Sequence, residues 1–564
     1  MTYRSSVTLP ARVLLLACLV LLLIVNAVSV EGQAKEPAAI TEDRVRLRDG
    51  PGLKSATLSY LNKGDAVEVI DTGSLQYVGD TLSYWRKVRT ADAREGWVYG
   101  AFLKSADPDR SPLLRWVDAG DAPDRDSGSR YLNLATDSAG NSFVVGSVTG
   151  TGLYKLGDRL KVAGSSDGEN ALLVKYDSTG TAVWGHAAVG IGGQSRFAAV
   201  ATDKAGSVFA AGHFSGRETF QFGNGVNITG IGPQQNAIVA KYDAAGAVLW
   251  ARSVVSGSGD TSYDAVAVDP RGNVYVAGTS TGNGVYGFGG DVTAKGSAEK
   301  DVPNVLLVKY DPFGTVLWAR TLSSGTKGAV FTAVAVDGEG NIIAAGSVDG
   351  SQRYGFGSSI TVTGGRDEFQ NPLLVKYGPE GNTLWAQEAS AGRGRGDISG
   401  MGVDSSGGIS IVGSFFDTDK LSLGDGVTLT AAHKDGGNPY VVSYSSQGRI
   451  AWARTAAGTG VCELAGMTVA GGGAVYAVGQ AAGTVTWGNV TTTTEKGKSL
   501  YMLKLGADGD AQWAELAPLV NRFFAVDDGS LAAAALGADG SLRVVGKTIG
   551  QSQDDIECGL LEAF

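Results

Sequence analysis

The run Val266-Ala267-Val268-Asp269-Pro270-Arg271-Gly272-Asn273-Val274-Tyr275-Val276-Ala277-Gly278 decides the fold of this chain. Two short apolar, β-branched segments flank an Asp-Pro-Arg-Gly-Asn turn, which reads as an antiparallel hairpin. A variable stretch containing Phe288-Gly289 follows. Then come Leu306-Leu307-Val308-Lys309-Tyr310-Asp311, a turn at Pro312-Phe313-Gly314, and Val316-Leu317-Trp318-Ala319-Arg320. That makes four short strands in one unit.

The unit recurs. Its tryptophan stands at Trp116, Trp184, Trp250, Trp318, Trp385, Trp452 and Trp513, at spacings of 66 to 68 residues that shorten to 61 at the end. Its turn aspartate stands at Asp137, Asp203, Asp269, Asp337 and Asp404, and gives way to Ala470 and Gly537. A glycine follows nine residues later in every copy, from Gly146 to Gly546. A fixed period of this length marks a repeat architecture. Four antiparallel strands per repeat predict the blades of a β-propeller. Nothing helically periodic follows residue 40.

The two ends are offset. Leu113-Leu114-Arg115-Trp116-Val117 precedes the first aspartate motif, and the last such motif has no tryptophan strand after it. Gly559-Leu560-Leu561-Glu562-Ala563-Phe564 aligns instead with Pro372-Leu373-Leu374-Val375-Lys376-Tyr377. The expectation is therefore an all-β chain with a seven-bladed propeller over 112–564. Residues 112–118 supply the fourth strand of the last blade, and pairing of N- and C-terminal strands removes the open sheet edges. Six blades with leftover strands is the competing count. The Asp-x-x-Gly-Asn-x-Tyr-Val-x-Gly and Lys-Tyr-Asp-x-x-Gly patterns resemble the bacterial β-propeller repeat families. The resemblance implies architecture and carries no ligand, because Asp and Gly suit hairpin turns and Trp suits packing between blades.

Residues 40–105 form a second module. Val45-Arg46-Leu47-Arg48-Asp49-Gly50-Pro51-Gly52, Leu61-Asn62-Lys63-Gly64-Asp65, Tyr84-Trp85-Arg86-Lys87-Val88 and Gly96-Trp97-Val98-Tyr99 occur in that order. Alternation within these segments reads as a small barrel. The series resembles the bacterial SH3-like domain, departing from it at Leu47 and Asp49. The resemblance implies binding of cell-wall peptide or glycan, with Arg48, Tyr84, Trp85, Trp97 and Tyr99 as groove candidates. Trp85 and Trp97 read equally as half core. A linker at 106–111 separates the modules.

Ahead of both, Arg4 and Arg12 precede an apolar run from Val13 to Val30. Residues 1–34 read as a secretory signal, or as an uncleaved anchor that would be the only membrane contact. Cys18 lies inside the apolar run, which argues against a lipidation site. Export to the periplasm, cell surface or exterior follows.

Composition narrows the classes. The chain has 564 residues, 84 of them glycine, and a net charge of −10, with no basic run after the leader, so nucleic acid is not an expected partner. Cys462 and Cys558 remain after leader removal, as a bridge or as two thiols. His186, His213 and His433 occupy unrelated repeat positions, without metal-ligand spacing. No nucleophile elbow is present. Gly392-Arg393-Gly394-Arg395-Gly396 lies between strands and lacks the helix N-terminus that a phosphate cradle needs. Asp118, Asp121, Asp124 and Asp126 form the one acidic loop dense enough for a weak calcium site, with a solvated loop as the plain alternative. Arg395-Gly396-Asp397 is an adhesive tripeptide placed in an exposed loop. The connections 190–196, 256–263, 288–304, 364–371 and 392–398 vary and share one face, where recognition of a protein or glycan belongs.

These observations favour a non-enzymatic, exported envelope protein without cofactor: an SH3-like tether and a propeller scaffold for a protein partner. The alternative is an extracytoplasmic lyase, hydrolase or quinone-dependent dehydrogenase with its site in the propeller channel. It requires three or more ionisable groups converging on the axis, whereas the inner strands read as mostly Ala and Val.

Overall fold

The computed structural model describes residues 36–563 apart from 79–80, 106–115, 120–127, 157–159, 191, 366–368, 391–393, 435, 495–497, 517–529, 539 and 550–556. The leader and the linker lie outside the described residues. So do Gly392 and Arg393, Asp121, Asp124 and Asp126, and the side chain of Asp118. Every regular element among the described residues is a strand, except a short 3-10 turn at Gly100–Phe102. The chain divides into two compact units.

In the first unit, Val45–Arg48 pairs with Thr57–Leu61 and with Glu95–Tyr99, while Glu36–Ile40 pairs with Ala66–Val78 and Leu103–Ser105. Ile40, Leu47, Val67, Val88, Val98 and Leu103 fill its centre. Gly96 is required by packing: a Cβ there would stand 2.7 Å from Leu47 Cγ and 2.8 Å from the Arg48 carbonyl.

In the second unit six repeats each fold into a four-stranded antiparallel sheet with its strands in sequence order. The third repeat uses Thr261–Val268, Val274–Thr281, Pro303–Tyr310 and Val316–Arg320. The stretch read as variable is in most repeats a separate two-stranded hairpin, such as Val285–Gly289 with Val292–Lys295. It is ordered because it buries an apolar side chain: Tyr154, Phe220, Tyr286, Tyr354, Leu421 and Val485 are all buried. At the ends, Ser530–Leu536, Leu542–Ile549 and Glu557–Ala563 form a sheet, and Glu557–Ala563 pairs with Trp116–Ala119 from Ala563↔Trp116 to Leu560↔Ala119.

The repeated residues each do a local job. Asp269 Oδ1 accepts the backbone N–H groups of Arg271 and Asn273, both at 2.9 Å, and closes the first turn. Asp137, Asp203, Asp337 and Asp404 do the same. Ala470 and Gly537 keep the turn with backbone bonds alone. The tryptophan ties neighbouring repeats together. Trp250 Nε1 and Lys241 Nζ both donate to the Pro312 carbonyl of the next repeat, and Trp318 and Lys309 both donate to that of Pro379. Trp184 and Trp452 donate to the Ala244 and Ala507 carbonyls; Trp385 and Trp513 hold the same register in their strands, but the buried Trp513 Nε1 has no partner. Trp116 lies in its strand, with a side chain outside the described set.

The second-strand glycine has a different cause. Every first strand carries a bulge, at Leu132, Ala198, Asp264, Thr332, Ser399, Ala465 and Ala532. The bulge swings the first-strand backbone onto its neighbour. A Cβ on Gly346 would lie 1.9 Å from the Val330 carbonyl oxygen, and Gly146, Gly212, Gly278, Gly413 and Gly479 meet the same obstacle.

Three sequence readings are corrected or decided by position. Arg395-Gly396-Asp397 opens the strand Arg395–Val403, with Gly396 buried, so it is no exposed loop. Cys462, read as half of a bridge or as a thiol, lies within the strand Val461–Val469 as a free, buried thiol. The connections 190–196 and 392–398 end inside first strands.

Candidate functional site

The first strands of successive repeats pack side by side, and that of the last repeat packs against Ser129–Thr136 of the first. Thr136 Oγ1 donates to the Leu536 carbonyl at 2.7 Å, and Thr202 Oγ1 to the Thr136 carbonyl at 2.9 Å. A cavity of about 200 Å³ is enclosed by residues of seven first strands, among them Asn133, Asp264, Thr332, Ser399 and Met467. Four of the bulge residues, Asp264, Thr332, Ser399 and Ala532, lie on this lining, and at the other three bulges the next residue or residues do. Six of the seven bulge residues are uncharged, and Asp264 is the one carboxylate.

Two residues earlier in each first strand, and on the same side by the two-residue period, stand Arg130, Arg196, Ser262, Val330, Asp397 and Glu463. Their second-strand neighbours are Ser147, His213, Thr279, Ser347, Ser414 and Gln480. Leu134, Val200, Val266, Val334, Met401 and Met467 line the cavity, whereas these residues flank it rather than line it and form a mostly polar level of the first strands.

Ionisable groups converge there. Arg196 Nη1 is 3.8 Å from Glu169 Oε2, and Ser147 Oγ donates to Glu169 Oε1 at 3.2 Å. Ser262 Oγ donates to Asp264 Oδ2 at 2.9 Å. Burial raises the Asp264 carboxyl above its ordinary range, against the Ser262 hydrogen bond and the charge of Arg196. Burial also holds His213 down to about 4, with Arg196 adding to the effect and Glu169 and Asp260 opposing it. His213 is therefore neutral at pH 7. Its Nδ1 and the Nε of Arg196 are buried without a hydrogen-bond partner. Asp397, raised first by burial, accepts the Ser414 N–H at 3.0 Å, and Glu463 on the next first strand adds to its shift.

The remaining sequence candidates stand elsewhere. Arg48, Tyr84, Trp85 and Tyr99 of the first unit are 2–6% exposed. Arg48 donates to the Leu53 and Ser55 carbonyls and lies over the Trp85 ring, so these four are packing residues, and Trp97 alone of the five keeps partial exposure. His186 stacks on Tyr242, and His433 Nε2 lies 2.7 Å from the Gly460 carbonyl. Among the described residues no group of three or more His, Cys, Asp or Glu is placed to hold a metal ion. A broader groove of about 600 Å³ lies by Ile228, Val254, Phe288 and Val316, but its one charged group, Arg252, is bonded to the Gly314 carbonyl at 2.7 Å.

Sequence reasoning also missed a buried asparagine series. Asn170, Asn236, Asn304, Asn371 and Asn438 are at most 1% exposed. Asn304 Oδ1 accepts the N–H groups of Ser297 and Ala298 while its Nδ2 donates to the Ser280 and Gly282 carbonyls, pinning the loop that returns from the hairpin. The recurrence of Asn five residues before the Lys-Tyr or Ser-Tyr doublet was the available signal.

Comparison with known proteins agrees with this architecture. Residues 43–104 match the bacterial SH3 domain, and residues 250–284 match the beta-propeller repeat. The chain is 23% identical over 411 residues to an uncharacterized WD repeat-containing protein of Acanthamoeba polyphaga mimivirus, covering 62% of this chain and 29% of that one. Similar solved structures include an ulvan lyase from a family of polysaccharide lyases, at TM-score 0.36 and 12% identity, covering 77% of this chain and 94% of the lyase. A gluconolactonase from Xanthomonas campestris aligns at TM-score 0.28 and 12% identity, covering 63% and 89%. A quinoprotein alcohol dehydrogenase-like protein from Bacteroides thetaiotaomicron aligns at 0.26 and 11%, covering 75% and 96%. The similar structures include named enzymes, a gluconolactonase and a polysaccharide lyase, and the expectation of a non-enzymatic protein is corrected on that finding. The few ionisable residues of the inner strands, which read as mostly Ala and Val, include Arg130, Arg196, Asp264, Asp397 and Glu463.

Proposed function

We propose that the second unit is a seven-bladed propeller closed by the pairing of Trp116–Ala119 with Glu557–Ala563, and that it is an exported hydrolase or lyase with its site at the polar mouth of the axial channel. The single observation that carries the activity is the meeting of Arg196, Glu169, His213 and Asp264, the last of which lines the cavity. Arg196 binds an anionic group on the substrate. Asp264, whose carboxyl keeps its proton to higher pH than an ordinary aspartate, supplies the acid. His213, uncharged at neutral pH, accepts a proton or a hydrogen bond. Groups with pKa values pushed apart in one cleft suit proton-transfer catalysis. The SH3 unit delivers this activity to cell-wall peptide or glycan, which co-sedimentation with insoluble peptidoglycan tests.

The test of the activity is turnover of carboxylate-bearing esters, lactones, uronate glycosides and peptides by the full chain and by Asp264→Asn. Wild type should turn over one class, and Asp264→Asn should be slower by at least ~10²-fold, the usual worth of a positioned acid or base. Equal turnover by a folded Asp264→Asn overturns the assignment.

A further inference from the structure

We infer that the channel mouth recognises a small zwitterion, a ligand with a free carboxylate and a free ammonium group such as a short peptide with both termini free. The inference rests on the channel-mouth site proposed above and names its ligand class. At one level of the first strands the charges are divided by sign, although Glu169 and Asp264 stand beside Arg196. Arg130 and Arg196 stand on the first strands of the first and second repeats. Asp397 and Glu463 stand at the equivalent positions of the fifth and sixth. Ser262 and Val330, the equivalent residues between them, carry no charge. In a seven-membered ring the two basic positions face the two acidic ones across the axis, so this level has a basic and an acidic side, with the Arg196 charge partly answered by Glu169.

The positive side has unused donor capacity. Arg196 Nε is buried without a partner, and Nη1 is 3.8 Å from Glu169, longer than a hydrogen bond. A guanidinium with Nε and an Nη free presents the fork that a carboxylate fits with two parallel hydrogen bonds. His213 Nδ1, likewise unpartnered, lies on the adjacent strand, paired with Arg196. On the negative side, Asp397 accepts the Ser414 N–H at one oxygen, and Glu463 is exposed. Two carboxylates on neighbouring strands repel each other, and an ammonium group placed between them relieves this. Between the two sides, Asn133, Thr332 and Ser399 line the cavity of about 200 Å³, which limits the ligand to a small molecule or the end of a chain. A dianion would meet Asp397 and Glu463, and a simple amine would meet Arg196; a ligand with one charge of each sign satisfies both sides.

The experiment is calorimetric titration of the full chain with L-alanyl-L-alanine, its N-acetyl derivative and its C-terminal amide. The free dipeptide should bind, and either modification should weaken binding at least tenfold. Arg196→Gln should abolish the preference for the free carboxylate. Glu463→Gln, at an exposed position that tolerates change, should abolish the preference for the free amine. Equal binding of the three ligands, tighter binding of the acetylated form, or no binding of any of them overturns the inference. The underlying site is judged separately: if an anionic ester is turned over, and Asp264→Asn stops it, while no dipeptide binds, the site stands and the zwitterion fails.

Discussion

Lys309 and Lys376 occupy the same position of successive repeats, and the structure predicts that they differ in worth. Lys309 Nζ donates to the Pro379 carbonyl at 2.9 Å, while the Oδ2 of its repeat's turn aspartate, Asp269, is taken by Asn273 Nδ2 and Tyr275 Oη. Lys376 Nζ donates to the Ser446 carbonyl at 2.9 Å and also reaches Asp337 Oδ2 at 2.8 Å, with side chains 5% and 2% exposed. Lys309→Met therefore removes one charged hydrogen bond, about 1.5–3 kcal/mol. Lys376→Met breaks a buried ion pair, about 3–5 kcal/mol. Asp337 retains the Glu339 and Asn341 N–H groups and Asn341 Nδ2, which places the loss at the lower end, about 3 kcal/mol. Urea denaturation at pH 7 measures both, compared at unchanged slope. Burial alone would raise the Asp337 carboxyl, but the bonds from Lys376 and Asn341 outweigh it and hold the carboxyl below its ordinary range. A lowered folded-state value contributes stability above the unfolded value, lost as pH falls through the folded one. The Lys376→Met deficit should therefore shrink below pH ~4. Equal losses for the two variants, or a Lys376→Met deficit that does not change with pH, would refute this account of the pair.

Three further outcomes follow from the geometry. Gly346→Ala places a Cβ 1.9 Å from a backbone oxygen, and should cost more than about 4 kcal/mol or prevent folding, whereas Ala at the open Gly338 should be tolerated in the same denaturation assay. His213 is lowered to about 4 from an ordinary 6.5, so its contribution is present above pH 6.5 and falls away toward pH 4. At 1.36 kcal/mol per pH unit this is at most about 3 kcal/mol, and His213→Gln should flatten the stability profile over that window. Deletion of residues 557–564 unpairs Trp116–Ala119, and should lower the melting temperature by at least ~10 °C or cause aggregation through the exposed edge.

What the sequence disclosed follows from what repeats. Trp250, Trp318 and the turn aspartates recur because every repeat needs the same turn and the same tie to its neighbour, so periodicity exposed them. The second-strand glycine was visible as a pattern, but its cause, the first-strand bulge, is a backbone feature with no residue signature: Leu132, Ala198, Asp264 and Thr332 share the position and nothing else. The same degeneracy hid the site. Arg196, His213 and Asp264 stand where the repeat imposes no residue, 17 and 51 residues apart in sequence, and only the stacking of repeats brings them together. In the first unit, the resemblance named Trp85 and Tyr99 as groove candidates, but residue type does not distinguish a groove from the core, and both are buried.

The central claim is tested most directly by histidine-selective NMR, since the chain has three histidines and His213 can be assigned by substitution. Titration should place His213 near pH 4, and addition of L-alanyl-L-alanine should shift its resonance in the wild type but not in Arg196→Gln. A His213 that titrates at its ordinary value, or stays unmoved by ligand while another histidine responds, would contradict a site at the channel mouth.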